Sequence, residues 1–574
     1  MAVTGKDSVR IVPLGGLGEI GLNLMVIECG HSAVVIDVGV MFSEDRALGM
    51  GLLLPDLRHL EVRGLHVEAV FLTHAHEDHL GALSYFLQKF PAPVYATAVT
   101  LAFARRSLRE DGPADCDLRE MTPGRIIEAG PFTIEPVRVT HSTPDSVALA
   151  IRTPAGLIVH SGDFKIDPAP VDGVRFDTTR FAQLGEEGVE LLLSDSTNVE
   201  REGRAGSESS LKPVIDDLIR RTRGRFFLSS FSSHLHRIRQ FAEVAHEAGR
   251  FVVPLGRRMA ESVRLGMEVG QLNLPAGTFI DTAEADFLEP RRLAFLATGS
   301  QGEPLAALTK LANDNHPAVR IEHGDVVMLS SRFIPGNERA IHSVVNELFK
   351  RGAEVLYDGV APVHVSGHAC REELVEMIRL VRPRHFVPIH GEYRHLAHHV
   401  RLAITAGVAE DDCFLLEDGD TLVLSGGEAR RGSAVRSGRQ VVEGEEFGGA
   451  GLIRERRTLA HDGAVLAIVA ISARTGKIVA GPDLISRGVV EGDGVSPHLA
   501  RARAELMGRL QGLNGASGKG LKGAAESATR GQSQNFAAVI DQARLREEMA
   551  RVLKRYFSST LGKRPLIVPY VMEI

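Results

Sequence analysis

The sequence predicts an α/β protein: a layered sheet sandwich interrupted by a second α/β domain and followed by a small α/β C-terminal domain. Three observations carry this. Short apolar runs alternate with turn signals through roughly the first two hundred residues. From about residue 211 the texture changes to amphipathic helix candidates alternating with strands. Beyond residue 424, Gly- and charge-rich stretches precede a final strand, helix and strand pattern.

In chain order, strand-like runs fall at 33–38, 67–72, 132–139, 147–151, 156–160 and 189–193, with a helix-like run at 80–90. Polar residues directly follow several of these runs, which places them on loops at one rim of a sheet sandwich, where a rigid scaffold positions reactive groups. Gly16-Leu17-Gly18-Glu19-Ile20-Gly21 matches a dinucleotide-binding spacing after the apolar run 9–14. That unit needs a helix next, whereas 23–28 is another β-like run, so the segment reads as a Gly-rich hairpin. Helix candidates 211–223 and 237–248 alternate with strands 225–228 and 353–356. Stretches 425–439 and 443–451 read as linker, followed by a strand at 464–472, a Gly/Ser/Ala-rich interval at 512–534, a helix at 538–556 and a strand at 566–573.

With 574 residues, 44% of them hydrophobic and 24% charged, the chain can bury sizeable cores in two to four domains. No apolar run approaches the roughly 18 residues needed to span a bilayer, and the first residues lack the apolar core of a signal peptide. A cytoplasmic protein with no membrane partner is expected. Cys29, Cys116, Cys370 and Cys413 lie far apart without a Cys-x-x-Cys pair, which argues against a disulfide framework or a thiolate metal site. The net charge of −7 implies that any polyanion meets a local basic groove. Arg201, Arg204, Arg237, Arg239, Arg257, Arg258 and Arg332 are candidates for such a phosphate track. Aromatic residues make up only 5% and tryptophan is absent, so recognition should rest on backbone and shape rather than base stacking.

The chemistry is concentrated in Thr73-His74-Ala75-His76-Glu77-Asp78-His79, directly after a strand-like run. Imidazole and carboxylate together suit a divalent transition metal, and three histidines with one aspartate exceed what one catalytic ion needs if a position stays open for water. Further candidates stand at similar strand ends: His141, Asp163 and His390. His74, His76 and His141 can hold one ion, Asp78, His79 and His390 a second, and Asp163 can bridge them. Two cations roughly 3.5–4 Å apart can activate a shared water and clamp the attacking and leaving oxygens of a phosphoryl displacement.

His-x-His-x-Asp-His, then His141, then Ser161-Gly162-Asp163, resembles the metallo-β-lactamase superfamily; Ala75 and Ser161 vary the pattern without removing a ligand. Ser194-Asp195-Ser196-Thr197-Asn198, Phe231-Ser232-Ser233, Gly256-Arg257, Thr298-Gly299-Ser300-Gln301-Gly302-Glu303-Pro304, Ile334-Pro335-Gly336-Asn337-Glu338, His364-Val365-Ser366-Gly367-His368 and His390-Gly391-Glu392-Tyr393 resemble the β-CASP nucleases. Within them, Pro13-Leu14-Gly15-Gly16-Leu17-Gly18-Glu19-Ile20-Gly21 and the C-terminal extension are similar to bacterial ribonuclease J. The resemblance spans essentially the whole chain and is looser in its last hundred or so residues.

It implies a metallo-β-lactamase αββα sandwich with an inserted β-CASP domain, divided as 1–208 and 358–440 for the core, 209–357 for the insertion, 441–462 for a linker and 463–574 for a C-terminal domain. It also implies an enzyme that hydrolyses RNA with two divalent ions, zinc or manganese. The implied action is 5′ to 3′ exonucleolytic, favours a 5′-monophosphate and includes some endonucleolytic cutting, in messenger decay and ribosomal RNA maturation. Asp78 would orient or deprotonate the attacking water, Asp195 would orient metal-bound imidazoles, and His368 would assist the leaving 3′-oxygen. Ser232, Ser233, His234, His364, Val365, Ser366, Gly367 and His368 would form the substrate pocket, with small hydroxyls and backbone N–H groups facing a terminal phosphate. A homodimer or homotetramer and RNA-decay partner proteins would follow. Three rivals remain at this stage: a small-molecule metallo-hydrolase, a DNA-directed β-CASP nuclease and an inactive RNA-binding scaffold. The long interval between Asp163 and His390 speaks against the first, and the full ligand set against the last.

Overall fold

Strands with apolar residues at nearly every position are buried on both faces, and the first part of the chain shows how this arises. In strand Val147–Thr153, Val147, Leu149 and Ile151 enter one core while Ala148 and Ala150 enter another. The same division separates Ile158 from Leu157 and Val159, and Leu191 and Leu193 from Leu192. The computed structural model describes residues 8–42, 52–113, 115–333, 337–443, 446–448, 450–475, 477–489, 497–515 and 542–574. Of the expected features, motif positions 334–336 and the segments 516–534 and 538–541 lie outside the described residues.

Two sheets face one another across the first core. The eight-stranded sheet runs Glu428–Arg431, Leu422–Ser425, Val9–Gly15, Leu24–Cys29, Ser32–Ile36, His66–Phe71, Val94–Ala96 and Leu118–Glu120. The six-stranded sheet runs Ile127–Ala129, Phe132–Arg138, Val147–Thr153, Gly156–His160, Val189–Asp195 and His385–Ile389. Val9, Met25, Ile36 and Phe71 from one sheet meet Phe132, Leu149, Leu193 and Val387 from the other. Helices Thr178–Glu187, Arg371–Val381 and Tyr393–Ala406 bury Phe181, Leu184, Leu374, Met377 and Ala403 against the outer face of the second sheet. This is the metallo-β-lactamase architecture. Its last three strands are parallel, pairing His160 with Leu193 and Asp195 with Ile389, so residues just beyond them emerge on a single rim.

Between the fifth and sixth strands of that second sheet the chain builds a separate parallel sheet. Its order is Phe251–Leu255, Leu293–Ala297, Phe226–Ser229, Val326–Leu329 and Glu354–Leu356, around a core containing Phe227, Phe295, Leu308, Val327, Ile341 and Leu348. Residues from 52 to Gln440 form one unit with the N-terminal strands, so the insertion and the sandwich are parts of one body.

A second unit takes in Val441–Ile574. Strand Ala464–Ile471 lies between antiparallel Ile478–Arg487 and parallel Leu566–Glu573. Helices Pro497–Gly515 and Gln542–Leu561 bury Leu506, Leu510, Leu545, Met549, Leu553 and Phe557 against Val465, Ala467, Val469, Ile567 and Val571. The last helix and strand thus share a core within this unit. Two helices extend into stretches read from the sequence by their glycine content. The stretch 441–462, read as linker, contains helix Ala450–Asp462, because good helix formers follow the glycines that suggested an irregular segment. Helix Pro497–Gly515 runs into the Gly/Ser/Ala-rich interval that begins at residue 512.

Candidate metal centre and substrate pocket

The strand ends deliver all seven expected ligands to one cluster. His74 Nε2 and His141 Nε2 lie 3.0 and 3.2 Å from His76 Nδ1, and 3.6 and 3.9 Å from Asp163 Oδ2. On the other side, Asp163 Oδ2 is 3.3 Å from His79 Nε2 and 3.6 Å from His390 Nε2, while Asp78 Oδ2 is 3.7 and 3.3 Å from the same two nitrogens. Donors about 2.0–2.2 Å from a shared ion stand roughly 3–3.5 Å apart at ordinary coordination angles, so the donor set fits two divalent cations with Asp163 between them. His74, His76, His141 and Asp163 form one group, and Asp78, His79 and His390 another.

The outward nitrogens provide an independent test of that fit, since a metal-bound imidazole keeps its lone pair inward only if its other nitrogen is engaged. Thr73 Oγ1 donates to Asp37 Oδ2 at 2.8 Å and so accepts from His74 Nδ1 at 3.0 Å. His79 Nδ1 donates to Asp37 Oδ2 at 2.7 Å, and His141 Nδ1 to the Gly367 carbonyl at 2.7 Å. Thr197 Oγ1 donates to Asp195 Oδ1 at 2.8 Å and accepts from His390 Nδ1 at 2.6 Å. His76 Nε2 meets Ser142 Oγ at 3.1 Å. Each of the five imidazoles therefore directs one nitrogen into the cluster and has a partner for the other. Two glycines permit the approach: a Cβ on Gly39 would lie 1.7 Å from the Asp78 carbonyl, and one on Gly367 2.8 Å from the His141 ring.

Charge follows position. Burial holds His76 down to about 4, and burial with neighbouring imidazoles holds His74 and His141 well below their usual value, so their lone pairs are available. Burial opposes charge on His79, His390 and His368 as well, but adjacent carboxylates outweigh it. Asp163, Asp78 and Asp37 raise His79, and Asp163, Asp195 and Asp78 bring His390 to about 10. Asp195 and Asp163 raise His368. Burial would push Asp78 and Asp163 up, yet the surrounding imidazoles take both below the usual carboxylate range.

At the edge of the cluster, His368 Nδ1 donates to Asp195 Oδ2 at 2.9 Å, and Asp195 Oδ1 also accepts from the Thr197 N–H. Two of the expected pocket residues, His364 and Val365, meet Arg237, which is fully buried. Its guanidinium pairs with both oxygens of Glu208 at 2.7 and 2.6 Å and donates to the Ser330 and Val365 carbonyls. It also lies 3.3 Å from His364 Nδ1. Arg237 stands in the first turn of helix Leu235–Glu247, just after Ser232 and Ser233, so it ties that turn to the 364–368 segment. Ser232, Ser233, His364, Ser366 and Gly367 are partly exposed, and Phe231 lies 6.4 Å from the His76 ring. His234, expected in the pocket, is buried with its ring beside Glu208.

The arginine track is revised in part. Arg237 is an internal strut, and Arg204 and Arg239 pair with Glu376 and Glu243. Arg332 donates to Asn198 Oδ1 at 3.1 Å. Sequence reasoning missed Asp37, Thr73 and Ser142 as supports. Asp37 follows an apolar run just as Asp163 does, so the sequence carries the same signal there.

Family models match successive parts of the chain: the metallo-β-lactamase superfamily over 18–186, the ribonuclease J β-CASP domain over 223–348, a Zn-dependent metallo-hydrolase RNA specificity domain over 352–415, and the ribonuclease J C-terminal domain over 451–574. Similar proteins include ribonuclease J2 of Bacillus subtilis, 34% identical over 577 residues and covering 100% of both chains. Ribonuclease J of Mycobacterium tuberculosis is 36% identical, covering 99% of this chain and 98% of that one. Ribonuclease J of Helicobacter pylori is 37% identical over 85% of this chain and 72% of its own. Among solved structures, a protein of unknown function from Enterococcus faecalis aligns with a TM-score of 0.50 at 18% identity, over 73% of this chain and 100% of that one, a likeness of fold alone.

Proposed function

The chain belongs to the ribonuclease J family, and on that premise we propose that it is a metal-dependent ribonuclease acting 5′ to 3′ from 5′-monophosphate ends, with additional internal cleavage. The observation that carries the reading is the five imidazoles whose outer nitrogens are all engaged while their inner nitrogens converge with Asp78 and Asp163. His74, His76 and His141 would hold one divalent ion, Asp78, His79 and His390 the other, and Asp163 would contact both; zinc and manganese both suit such donors. When bound, the pair supplies charge that lowers the pKa of water and neutralises a phosphoryl transition state.

The chain's own groups divide the remaining work. Asp78 orients the attacking water. Asp195 holds His368 by Nδ1, which leaves Nε2 to give a proton to the departing 3′-oxygen, and a side chain 21% exposed can reach substrate. Ser232, Ser233, Ser366 and the Gly367 backbone offer small donors to a terminal phosphate, with His364 beside them. The biological reading is messenger decay and ribosomal RNA maturation in the cytoplasm by a homodimer or homotetramer, together with RNA-decay partners. No helix among the described residues is long and apolar enough to cross a membrane.

A product time course on 5′-labelled RNA bearing monophosphate, triphosphate or hydroxyl ends, with matched DNA, tests this. Mononucleotides released first from monophosphorylated RNA are expected. Equal attack on DNA would redirect the reading to a DNA nuclease, and no attack on either would end it.

A further inference from the structure

Ser366 Oγ lies 2.7 Å from the Asn198 side-chain amide and 3.2 Å from the His368 N–H. An amide can be turned end for end, but the neighbours of Asn198 settle its orientation. One end is 3.1 Å from the Arg332 guanidinium, which can only donate, and the other is 3.0 Å from the His368 carbonyl, which can only accept. The end facing Ser366 is therefore the NH2 group. Ser366 Oγ accepts two hydrogen bonds and donates to no group among the described residues. Both lone pairs are engaged, and its single proton is left for a ligand. Ser366 is partly exposed, whereas Asn198 is only 5% exposed and out of a ligand's reach.

We propose that Asn198, held by Arg332, is a positioning residue that makes Ser366 a hydrogen-bond donor only and aims its proton at an acceptor-only terminal group, a phosphate monoester, to which the bond is charge-assisted and therefore stronger than to a terminal hydroxyl. The inference rests on the nuclease reading above. It also gives the insertion a part in end recognition: Arg332 follows strand Val326–Leu329 of the inserted sheet, while Asn198 follows Val189–Asp195 of the sandwich. The inserted domain then sets the pocket's hydrogen-bond polarity through Asn198.

The test is Asn198→Asp, near-isosteric but able only to accept, so that the Ser366 proton turns inward. The KM for 5′-monophosphorylated RNA is expected to rise about tenfold or more, the size of one lost charge-assisted hydrogen bond, with kcat on 5′-hydroxyl RNA nearly unchanged. In a Ser366→Ala background the same change should add little, because the hydroxyl it acts on is gone. Full additivity would mean plain charge repulsion and would overturn the proposal, as would an equal fall in kcat for both ends. If the buried carboxylate unfolds the protein, Asn198→Ala, which removes the amide donor and leaves a lone pair of Ser366 Oγ unengaged so that its proton is no longer directed at the ligand, is expected to reduce the preference for phosphate ends; an unchanged preference would overturn the proposal. A wild-type enzyme that cleaves RNA without regard to its 5′ end would defeat the end-recognition reading itself. A wild type that discriminates beside an Asn198→Asp variant that still does would defeat this inference alone.

Discussion

Asp37 and Asp195 perform parallel tasks on opposite sheets. Each is almost fully buried at the end of a strand, each accepts from a threonine hydroxyl that in turn fixes an imidazole, and each takes a second imidazole directly. They differ in what the second imidazole faces. For Asp37 it is His79, 3% exposed and wholly inside the cluster; for Asp195 it is His368, 21% exposed at its edge. One arrangement of carboxylate, threonine and histidine thus orients two buried cluster imidazoles on one sheet, and on the other orients one buried cluster imidazole together with a partly exposed one. Burial, more than residue type, separates the two uses.

Removing a ligand outright should produce the largest effect, erasing the comparison. Asp78→Ala or His76→Ala is expected to lower turnover by orders of magnitude while circular dichroism stays close to wild type and melting close to that of chelated wild-type protein, since ligands of a shared site act as a unit. Near-normal turnover in either folded variant would contradict the metal reading. Asp37→Asn and Asp195→Asn then separate the two supports. Asp37→Asn should weaken metal binding about 10–100-fold, read by titration of chelator-treated protein, and excess metal should largely restore kcat. Asp195→Asn should weaken metal binding too, but leave a kcat deficit of about a hundredfold that added metal does not repair. Full rescue of both variants would remove His368 from the proton-transfer role.

A smaller effect is expected at the threonines. Thr73→Val and Thr197→Val each remove one hydroxyl from these relays and should cost about 1 kcal/mol in metal-linked stabilisation, measured as the melting shift between loaded and chelated protein. If Thr197→Val alone lowered kcat, the two relays would not be equivalent.

The smallest effect concerns the two-stranded pairing next to His390 in sequence, where Leu17 and Gly18 run parallel to Gly391 and Glu392. Asp418 accepts the Leu17 N–H at 3.0 Å; burial and the neighbouring Glu19, which Arg439 holds at 2.9 Å, push its carboxyl up to about 8. The folded state then keeps a proton that an unfolded carboxylate, with a pKa of about 3.9, has lost. Unfolding releases no such proton below that value, and the linked stability declines as pH rises through the folded pKa. Asp418→Asn is expected to flatten the fall in melting temperature from about pH 5 to about pH 9. An unchanged slope would assign that fall to other groups.

Much of the candidate site was legible in residue order, because strand ends announce themselves: an apolar run stops and a residue of the His/Asp cluster follows, as at His74, His141, Asp163 and His390. The doubly buried sheets were legible for the same reason, since runs such as 147–151 and 189–193 lack a polar face. Asp37 carried that signal too, but nothing in sequence joins it to a histidine 42 positions later. Arg237 shows the opposite failure, since a basic residue in a polar segment looks like a phosphate contact until its partner Glu208 is brought beside it.

The sequence by itself determined the strand pattern, the residues that make up the His/Asp cluster and the family, because these depend on residue type and local spacing. Only the tertiary structure decided which nitrogen of each imidazole faces inward, which arginine is a strut, and which way the Asn198 amide points. Those properties belong to pairs of groups from distant segments, and a donor is distinguished from an acceptor only by the partner it meets.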